Sequence, residues 1–451
     1  MYAAEASPRA SASENTMMSE ATVRGAAVRS LSALVRHGKY SNLEVNSALS
    51  GSRFGDADRR LYTTLVYGVV ERIPTLDYII SVLSSRPVDT IDVGTMTCLR
   101  LGLYQLIYMD RIPPHAAINE TVAEAPRQSK GFVNALLREF LRRGKEYPMP
   151  EGDALRYISV KYSCPEAMCS YLIGKLGEDT AVRVMSSWLE RRHVTLRVNT
   201  LVTTADELIR DVFPEGTVSP LSDDVISVPS LAGSDMTDGR YFVQDASSTL
   251  AVKALAPMPG ETVIDTCAAP GGKTFSAAID MKNEGAVFSF DLHENKVGLI
   301  RKGADRLGLD IVTASCRDAT DPSHEFIGKA DRVICDAPCS GLGVVGKKPD
   351  IKYKDVSETE KLPEVQSRVL RGASRYVRPG GILVYSTCTL SPDENGAVVR
   401  GFLEENADFE PCPFKAGAVE SDGDGMLTLY PFVHGTDGFF ISKMKRRGGE
   451  I

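Results

Sequence analysis

From Ala246 onward the chain repeats one alternation: a short β-rich run, a polar stop, then a helical stretch. "ETVIDTCA" reads as a strand and "KTFSAAIDM" as a helix; "AVFSFDL" as a strand and "ENKVGLIRKGADRLG" as a helix. "IVTASCRD" and "ADRVICDAP" read as strands, "PEVQSRVLRGASRYV" as a helix and "GGILVYSTC" as a last strand. Strands separated by helices need crossovers, which parallel pairing supplies. The expected fold is therefore a doubly wound α/β sheet, with ligands beyond the carboxyl ends of its strands. Those ends are Asp265, Asp291, Asp318, Asp336 and Cys388.

The residues just past each strand end narrow the chemistry. "APGGKT" after Asp265 ends like a phosphate loop, but such a loop needs glycine at position 267, which is Cys. Gly271 and Gly272 instead suit a turn that a ligand approaches closely. Asp291 stands at the end of the next strand, where an acid accepts hydrogen bonds from a ribose diol. That arrangement fits an adenosine cofactor, NAD and S-adenosylmethionine included. "GLGVVG" matches a dinucleotide fingerprint, yet "KKPDIKY" comes next, where a helix should open. Without a helix N-terminus there is no pyrophosphate cradle, which counts against NAD. "DAPCSG" and "STCT" place Cys339 and Cys388 just past different strands, where both should open onto one crevice. Paired core cysteines are the plainer alternative, but the polar and turn-forming neighbours of both are poor core material.

The 451 residues exceed one ordinary domain. Residues 1–20 are Ala/Ser-rich, lack an apolar signal core and are expected to be disordered; Met17 or Met18 could be the true start. Residues 21–145 read as an all-helical bundle: Ala27, Leu31, Leu34 and Val35 form one stripe, and Met96, Leu99, Leu103, Leu106 and Ile107 another. Asp58 and Asp92 are candidate helix caps. The bundle ends in Arg138, Arg142, Arg143 and Lys145, either a solvated helix end or an RNA patch. Residues 146–239 read as a linker and a small α+β module, and residues 240–447 as the α/β domain. Nine cysteines without a CxxC argue against a disulfide framework or zinc ribbon and for a reducing cytosol. No apolar run approaches the roughly 20 residues of a membrane span. A net charge of −7 means that any RNA contact must use local basic patches.

Four stretches together, "DTCAAPGGKT", "DLHENKVGLIRKGADRLGL", "DAPCSGLGVVGKKPDIKY" and "YSTCTLSPDENG", are similar to successive motifs of the RNA 5-methylcytosine methyltransferases. "RIPPHAAINETVAEA" resembles the NusB antitermination-factor fold, and "KYSCPEAM" with "VTLRVNTL" resembles that enzyme family's small capping module. The three-part order resembles the branch that modifies a cytosine of 16S ribosomal RNA. The resemblance implies a Rossmann-like S-adenosylmethionine-dependent methyltransferase sheet after a capping module and an RNA-binding bundle. It implies a cytoplasmic, monomeric, metal-free enzyme.

By the same resemblance Cys388 attacks C6 of cytosine, Cys339 assists release, and Asp336 hydrogen-bonds the base near N3. S-adenosyl-L-methionine would lie along Cys267, Ala268, Ala269, Pro270, Gly271, Gly272 and Lys273. Asp291 would hold its ribose and Asp318 its adenine amino group, with Asp336 close to its methionine end. Lys347, Lys348, Lys352 and Lys354 would line the RNA path, with Arg138 and Arg142 as further RNA contacts. A free thiol is mostly protonated at pH 7, so the crevice must favour the thiolate; Lys273 and the sulfonium are the candidates. Met168, Gly346-Lys347 and Tyr353 depart from the usual Trp, Arg-Arg and Trp, which bears on substrate contacts. Alternatives are the same reaction at another rRNA site or on tRNA, and a NusB-like RNA-binding assembly factor.

Overall fold

A computed structural model describes residues 22–37, 41–190, 193–231 and 233–448. The tail expected over residues 1–20 lies outside the described residues. The chain divides into two units, Met1–Ser163 and Cys164–Ile451.

The first unit is built from the helices Val23–His37, Ser41–Ser50, Asp56–Leu83, Val93–Tyr108, Pro114–Glu124, Lys130–Arg142 and Ala154–Tyr162. Ala27, Leu31, Met96, Leu99, Leu103 and Leu106 are buried in its core, while Leu34 and Ile107 pack at the core's margin. Val35 is an exception to the expected stripe, 48 % exposed. Asp92 caps its helix as expected, accepting the Thr95 N–H at 3.0 Å. Asp58 does not cap: the helix already starts at Asp56 after Gly55. Asp58 instead lies in the first turn, where a carboxylate favours the helix dipole. That helix also runs through Pro74 to Leu83. Thr75, next to the proline, donates its hydroxyl to the Val160 carbonyl at 2.7 Å, which ties in the helix Ala154–Tyr162. The helix Ala154–Tyr162 belongs to this unit, which ends at Ser163.

The second unit opens with helices Glu166–Leu176 and Glu178–Trp188. An antiparallel sheet comes next, β1 (Val194–Val198), β2 (Thr217–Ser219), β3 (Ser222–Val228) and β4 (Tyr241–Val243), in the order β2-β3-β1-β4. Met168 is buried, so this departure from the family pattern is a packing position.

The large sheet contains β5 (Thr262–Asp265), β6 (Ala286–Asp291), β7 (Val312–Cys316), β8 (Ala330–Asp336), β9 (Val377–Thr387) and β10 (Phe409–Pro411). A hairpin, β11 (Lys415–Ala416) and β12 (Val419–Glu420), stands apart from it. β13 (Met426–Leu429) and β14 (Phe439–Arg446) complete the sheet. Its order is β10-β14-β9-β8-β5-β6-β7, with β13 on β14. β9, β8, β5, β6 and β7 are parallel, and β14 returns antiparallel on β9. Alternate strand residues serve opposite faces. Val263, Val287, Ile334 and Val384 pack with helices Ala246–Leu255, Gly272–Asp280 and Glu294–Leu307. Ile264, Val333, Leu383 and Tyr385 pack with Leu362–Ser374 and Gly396–Glu405. From β5 the chain winds one way to β6 and β7 and the other way to β8 and β9. That reversal opens a crevice beyond the ends of β5 and β8.

A buried charge cluster joins the small sheet to the large one. Arg197 on β1 is wholly buried and pairs with Asp224 on β3 and, at 2.7 Å, with Asp280 at the end of helix Gly272–Asp280. Lys253 meets the same two carboxylates at 2.6 and 3.1 Å. Removing Arg197 leaves two buried carboxylates facing one ammonium. Arg197→Ala should destabilise this unit by about 3–5 kcal/mol, read as a lower denaturant midpoint. An unchanged midpoint would show that the cluster contributes nothing.

Candidate active site

The turn after β5 is shaped by close packing. Gly271 has φ +115°, and a Cβ there would come within 2.3 Å of the Phe275 ring. A Cβ on Gly272 would lie 3.1 Å from Gln244 Nε2. The helix Gly272–Asp280 starts here, and its first residues point back at the strand ends. Thr274 donates to Asp265 Oδ2 at 2.8 Å, and Lys273 Nζ reaches Asp336 Oδ2 at 2.7 Å. The lysine and threonine that resembled a phosphate loop thus hold carboxylates of neighbouring strands.

Asp265 is fully buried and its Oδ1 faces no protein donor. Burial lifts its carboxyl to about 7 against the Thr274 hydrogen bond. Asp291, at the end of β6, is nearly buried and accepts the N–H groups of Ala269 at 3.3 Å and His293 at 3.1 Å. A carboxylate offers about four acceptor sites, so Asp291 has capacity left for a diol. Leu292 beside it is 58 % exposed, an apolar side chain suited to a purine face. Asp318 lies two residues beyond the end of β7, exposed, accepting the Thr320 N–H at 2.8 Å and hydroxyl at 2.7 Å. The Asp291 acceptor, the glycine turn and the apolar Leu292 together fit S-adenosylmethionine.

β8 and β9 pair with Asp336 opposite Ser386. Ser386 donates to Asp336 Oδ1 at 2.6 Å, so the carboxylate is held by a hydroxyl on one oxygen and by Lys273 on the other. The residues just past these ends bring Cys339 Sγ to 3.2 Å from Cys388 Sγ. A disulfide would measure about 2.05 Å, and both thiols are free and half-buried. The two sulfurs are unequal. The Cys339 hydrogen bond lowers the Cys388 thiol from its ordinary range; burial and Asp336 oppose this, and Lys273 and Lys348 assist it. Cys339 is pushed well up, first by its bond to Cys388 and then by burial. The contact thus favours charge on Cys388 and opposes it on Cys339.

Glycines of "GLGVVG" bind this loop to its neighbours. Gly343 donates its N–H to the Cys388 carbonyl at 3.0 Å, and its carbonyl accepts the Gly438 N–H at 2.9 Å. A Cβ at Gly343 would stand 1.8 Å from the Gly438 oxygen. Residues 341–348 form turns and Pro349–Tyr353 a single 3₁₀ helix, so no pyrophosphate cradle opens here.

The basic residues expected to meet RNA divide. Lys352 is only 1 % exposed, so it cannot line an RNA path. Lys347 is bound to Asp245 at 2.5 Å and Asp437 at 2.8 Å. Burial opposes charge on Asp245, yet Lys347 and the Thr436 and Ser247 hydroxyls hold its carboxyl far below the usual range. Lys347 is thus a structural tie between this loop and two other segments, while it remains at the surface. Lys354 donates to the Ser340 carbonyl at 3.1 Å, while Lys348 stays exposed. In the helical unit Arg138 is exposed and bonds Asn134, and Arg142 is 75 % exposed beside Glu139. Sequence reasoning missed Ser386; it lies two residues before Cys388, on the same side of an extended chain, a signal the period of two provides. It also missed Cys339 as the main cause of the Cys388 shift, which depends on distance alone.

These charges have two measurable consequences. Iodoacetamide should label Cys388 with a pH midpoint below that of an ordinary thiol, about 8.5, and Cys339→Ala should raise it, as mapped by peptide mass spectrometry. An equal or lower midpoint in the variant would contradict the donor role. Asp265 has a folded pKa of about 7, above its unfolded value of about 3.9. Its favourable contribution is complete below the unfolded value and is lost as pH rises through 7. Asp265→Asn should therefore gain melting temperature over wild type at pH near 8.5 more than at pH near 5; parallel curves would contradict it.

Comparison with known proteins agrees with this geometry. The family model described as "16S rRNA methyltransferase RsmB/F" matches residues 252–445, and the NusB family model matches residues 21–142. The chain is 38 % identical over 450 residues to the Bacillus subtilis protein named probable ribosomal RNA small subunit methyltransferase B, covering 96 % of this chain and 100 % of that one. It is 32 % identical to the Escherichia coli ribosomal RNA small subunit methyltransferase B, covering 88 % and 92 %. The crystal structure of PH0851 superposes with a TM-score of 0.77 at 26 % identity, covering 94 % of this chain and 99 % of that one. With sequence, fold and cofactor-compatible crevice in agreement, the chain belongs to the RsmB/F family of S-adenosylmethionine-dependent 16S rRNA methyltransferases.

Proposed function

We propose that this protein methylates C5 of one cytosine in 16S ribosomal RNA through a covalent bond between Cys388 and C6 of the base. The contact between Cys388 and Cys339 carries the reading. C5 of cytosine is a poor nucleophile, and addition of a thiolate to C6 makes it carbanion-like. S-adenosylmethionine supplies an electrophilic methyl group on a sulfonium. Cys388, whose charged form is favoured by the Cys339 thiol and two lysines, is suited to the addition. Asp336, fixed by Lys273 and Ser386, hydrogen-bonds the base near N3 and favours charge build-up there.

The second half of the reaction removes the C5 proton and breaks the Cys388–C6 bond, restoring the aromatic ring. Cys339 is kept protonated chiefly by its bond to the Cys388 thiolate. Once Cys388 is tied to carbon that charge is gone, and Cys339 can release its proton to solvent and, as thiolate, take the C5 proton. The same pair thus supports both steps, with roles exchanged by bond formation itself. The methionine end of the cofactor would lie along Cys267–Lys273, the ribose at Asp291 and the adenine amino group at Asp318. Lys347 and Lys348 are exposed basic residues of the crevice loop for the RNA path, with Arg138 and Arg142 on the helical unit. The target base must leave its stack to reach the thiol.

No helix among the described residues is long and apolar enough to cross a membrane. The substrate can be tested with labelled cofactor and unmethylated 16S rRNA, beside tRNA. Wild type should label 16S rRNA, and Cys388→Ala should fall to background. Cys339→Ala should transfer one methyl group per enzyme and remain bound to the RNA on a denaturing gel. Wild-type turnover by Cys388→Ala would overturn the nucleophile, and labelling of tRNA alone would overturn the substrate.

A further inference from the structure

Beneath the thiol pair lies a carboxylate that methyl transfer by Cys388, Cys339 and Asp336 does not use. Glu394 is 1 % exposed. Its Oε2 accepts the Ser340 N–H at 2.8 Å and Gln366 Nε2 at 2.9 Å. Its Oε1 accepts the Ser340 hydroxyl at 2.6 Å and, more weakly, the Thr389 hydroxyl at 3.4 Å. Ser340 is the neighbour of Cys339 and Thr389 that of Cys388, and their hydroxyls are 2.7 Å apart. Gln366 also reaches the Pro338 carbonyl at 3.0 Å, on the other side of Cys339. Asn395 braces Cys388 in the same way, accepting from the Thr387 hydroxyl at 2.5 Å and donating to the Thr389 carbonyl at 3.0 Å. The Tyr385 hydroxyl holds the Glu394 backbone carbonyl at 2.7 Å.

Every described hydrogen-bond partner of this carboxyl group is a donor. An amide of the same shape would set an NH₂ group against one of these donors. The position therefore calls for a side chain whose two oxygens both accept. We propose that Glu394 is the positioning residue of the thiol pair: by tying Ser340 to Thr389 it fixes Cys339 and Cys388 at contact distance, the contact on which the difference between the two sulfurs depends. The inference rests on Cys388 being the nucleophile.

The full chain is treated with substoichiometric iodoacetamide, the labelled sulfur is mapped by mass spectrometry, and steady-state methylation of 16S rRNA is measured. Wild type should carry label on Cys388. In Glu394→Gln the share on Cys339 should rise on the order of tenfold and kcat should fall on the order of ten- to a hundredfold, with the cofactor KM changed less than about twofold. Ser340→Ala removes the hydroxyl tie and leaves the backbone and Gln366 ties; kcat should fall several-fold while label stays on Cys388. A folded Glu394→Gln protein with label confined to Cys388 and kcat within about twofold of wild type would overturn the inference. If Glu394→Gln does not fold, an unchanged kcat in Ser340→Ala overturns it and the loss supports it. Cys388→Ala runs in parallel: methyl transfer by that variant sinks the nucleophile reading itself, whereas its inactivity beside a wild-type-like Glu394→Gln sinks only the role of Glu394.

Discussion

The contact between Cys339 and Cys388 depends on one register. β8 and β9 pair in parallel with Asp336 opposite Ser386, and the sulfurs lie just past those positions. A slip of one residue would turn Cys388 and Ser386 to the other face of the sheet. The register is guarded by the alternation that buries Ile334 and Val384 on one side and Val333 and Leu383 on the other. Core packing along two strands therefore sets a sulfur–sulfur distance at their ends. The antiparallel return of β14 on β9 adds Phe440 opposite Thr387, bracing the strand where the loop departs.

Charge is distributed around that contact so that the charged form is favoured on one sulfur and opposed on the other. Lys273 links the cofactor turn to Asp336, so the residue that begins the helix after β5 also faces the thiolate. The acidic groups at the strand ends have distinct states. Asp265 is driven toward the protonated form by burial, while Asp245 is kept ionised by Lys347. Asp336 sits between a cation and a hydroxyl. Environment separates carboxyls of the same chemistry into a structural acid, an anchor for the Gly341–Tyr353 segment and a candidate base contact.

The α/β alternation was legible because buried parallel strands leave continuous apolar runs and end in polar residues. Asp265, Asp291, Asp336 and Cys388 could be placed from that pattern. Asp318 was located correctly in the chain, but β7 ends at Cys316 and leaves it in a turn. The false fingerprint at "GLGVVG" was recognisable from the missing helix; its purpose, a backbone approach to Gly438 and Cys388, required coordinates. Lys352 misled because a basic run reads as a solvated surface until its burial is known, and the partners of Lys347 were equally hidden. Asp245 and Asp437 are about a hundred residues from Lys347 on either side, and no local pattern announces such a pair. Glu394 was present in "YSTCTLSPDENG" without a role, since its partners come from three separate segments.

The central claim is that Cys388 bonds to C6 of a cytosine. A 16S rRNA fragment carrying 5-fluorocytidine can accept the thiol and the methyl group, but it holds no C5 proton whose loss would free the enzyme. Incubated with the full chain and S-adenosylmethionine, it should give a complex that survives denaturation, and mass spectrometry should place the nucleotide on Cys388. Attachment at Cys339, or no covalent complex from a protein that methylates the unfluorinated fragment, would contradict the account.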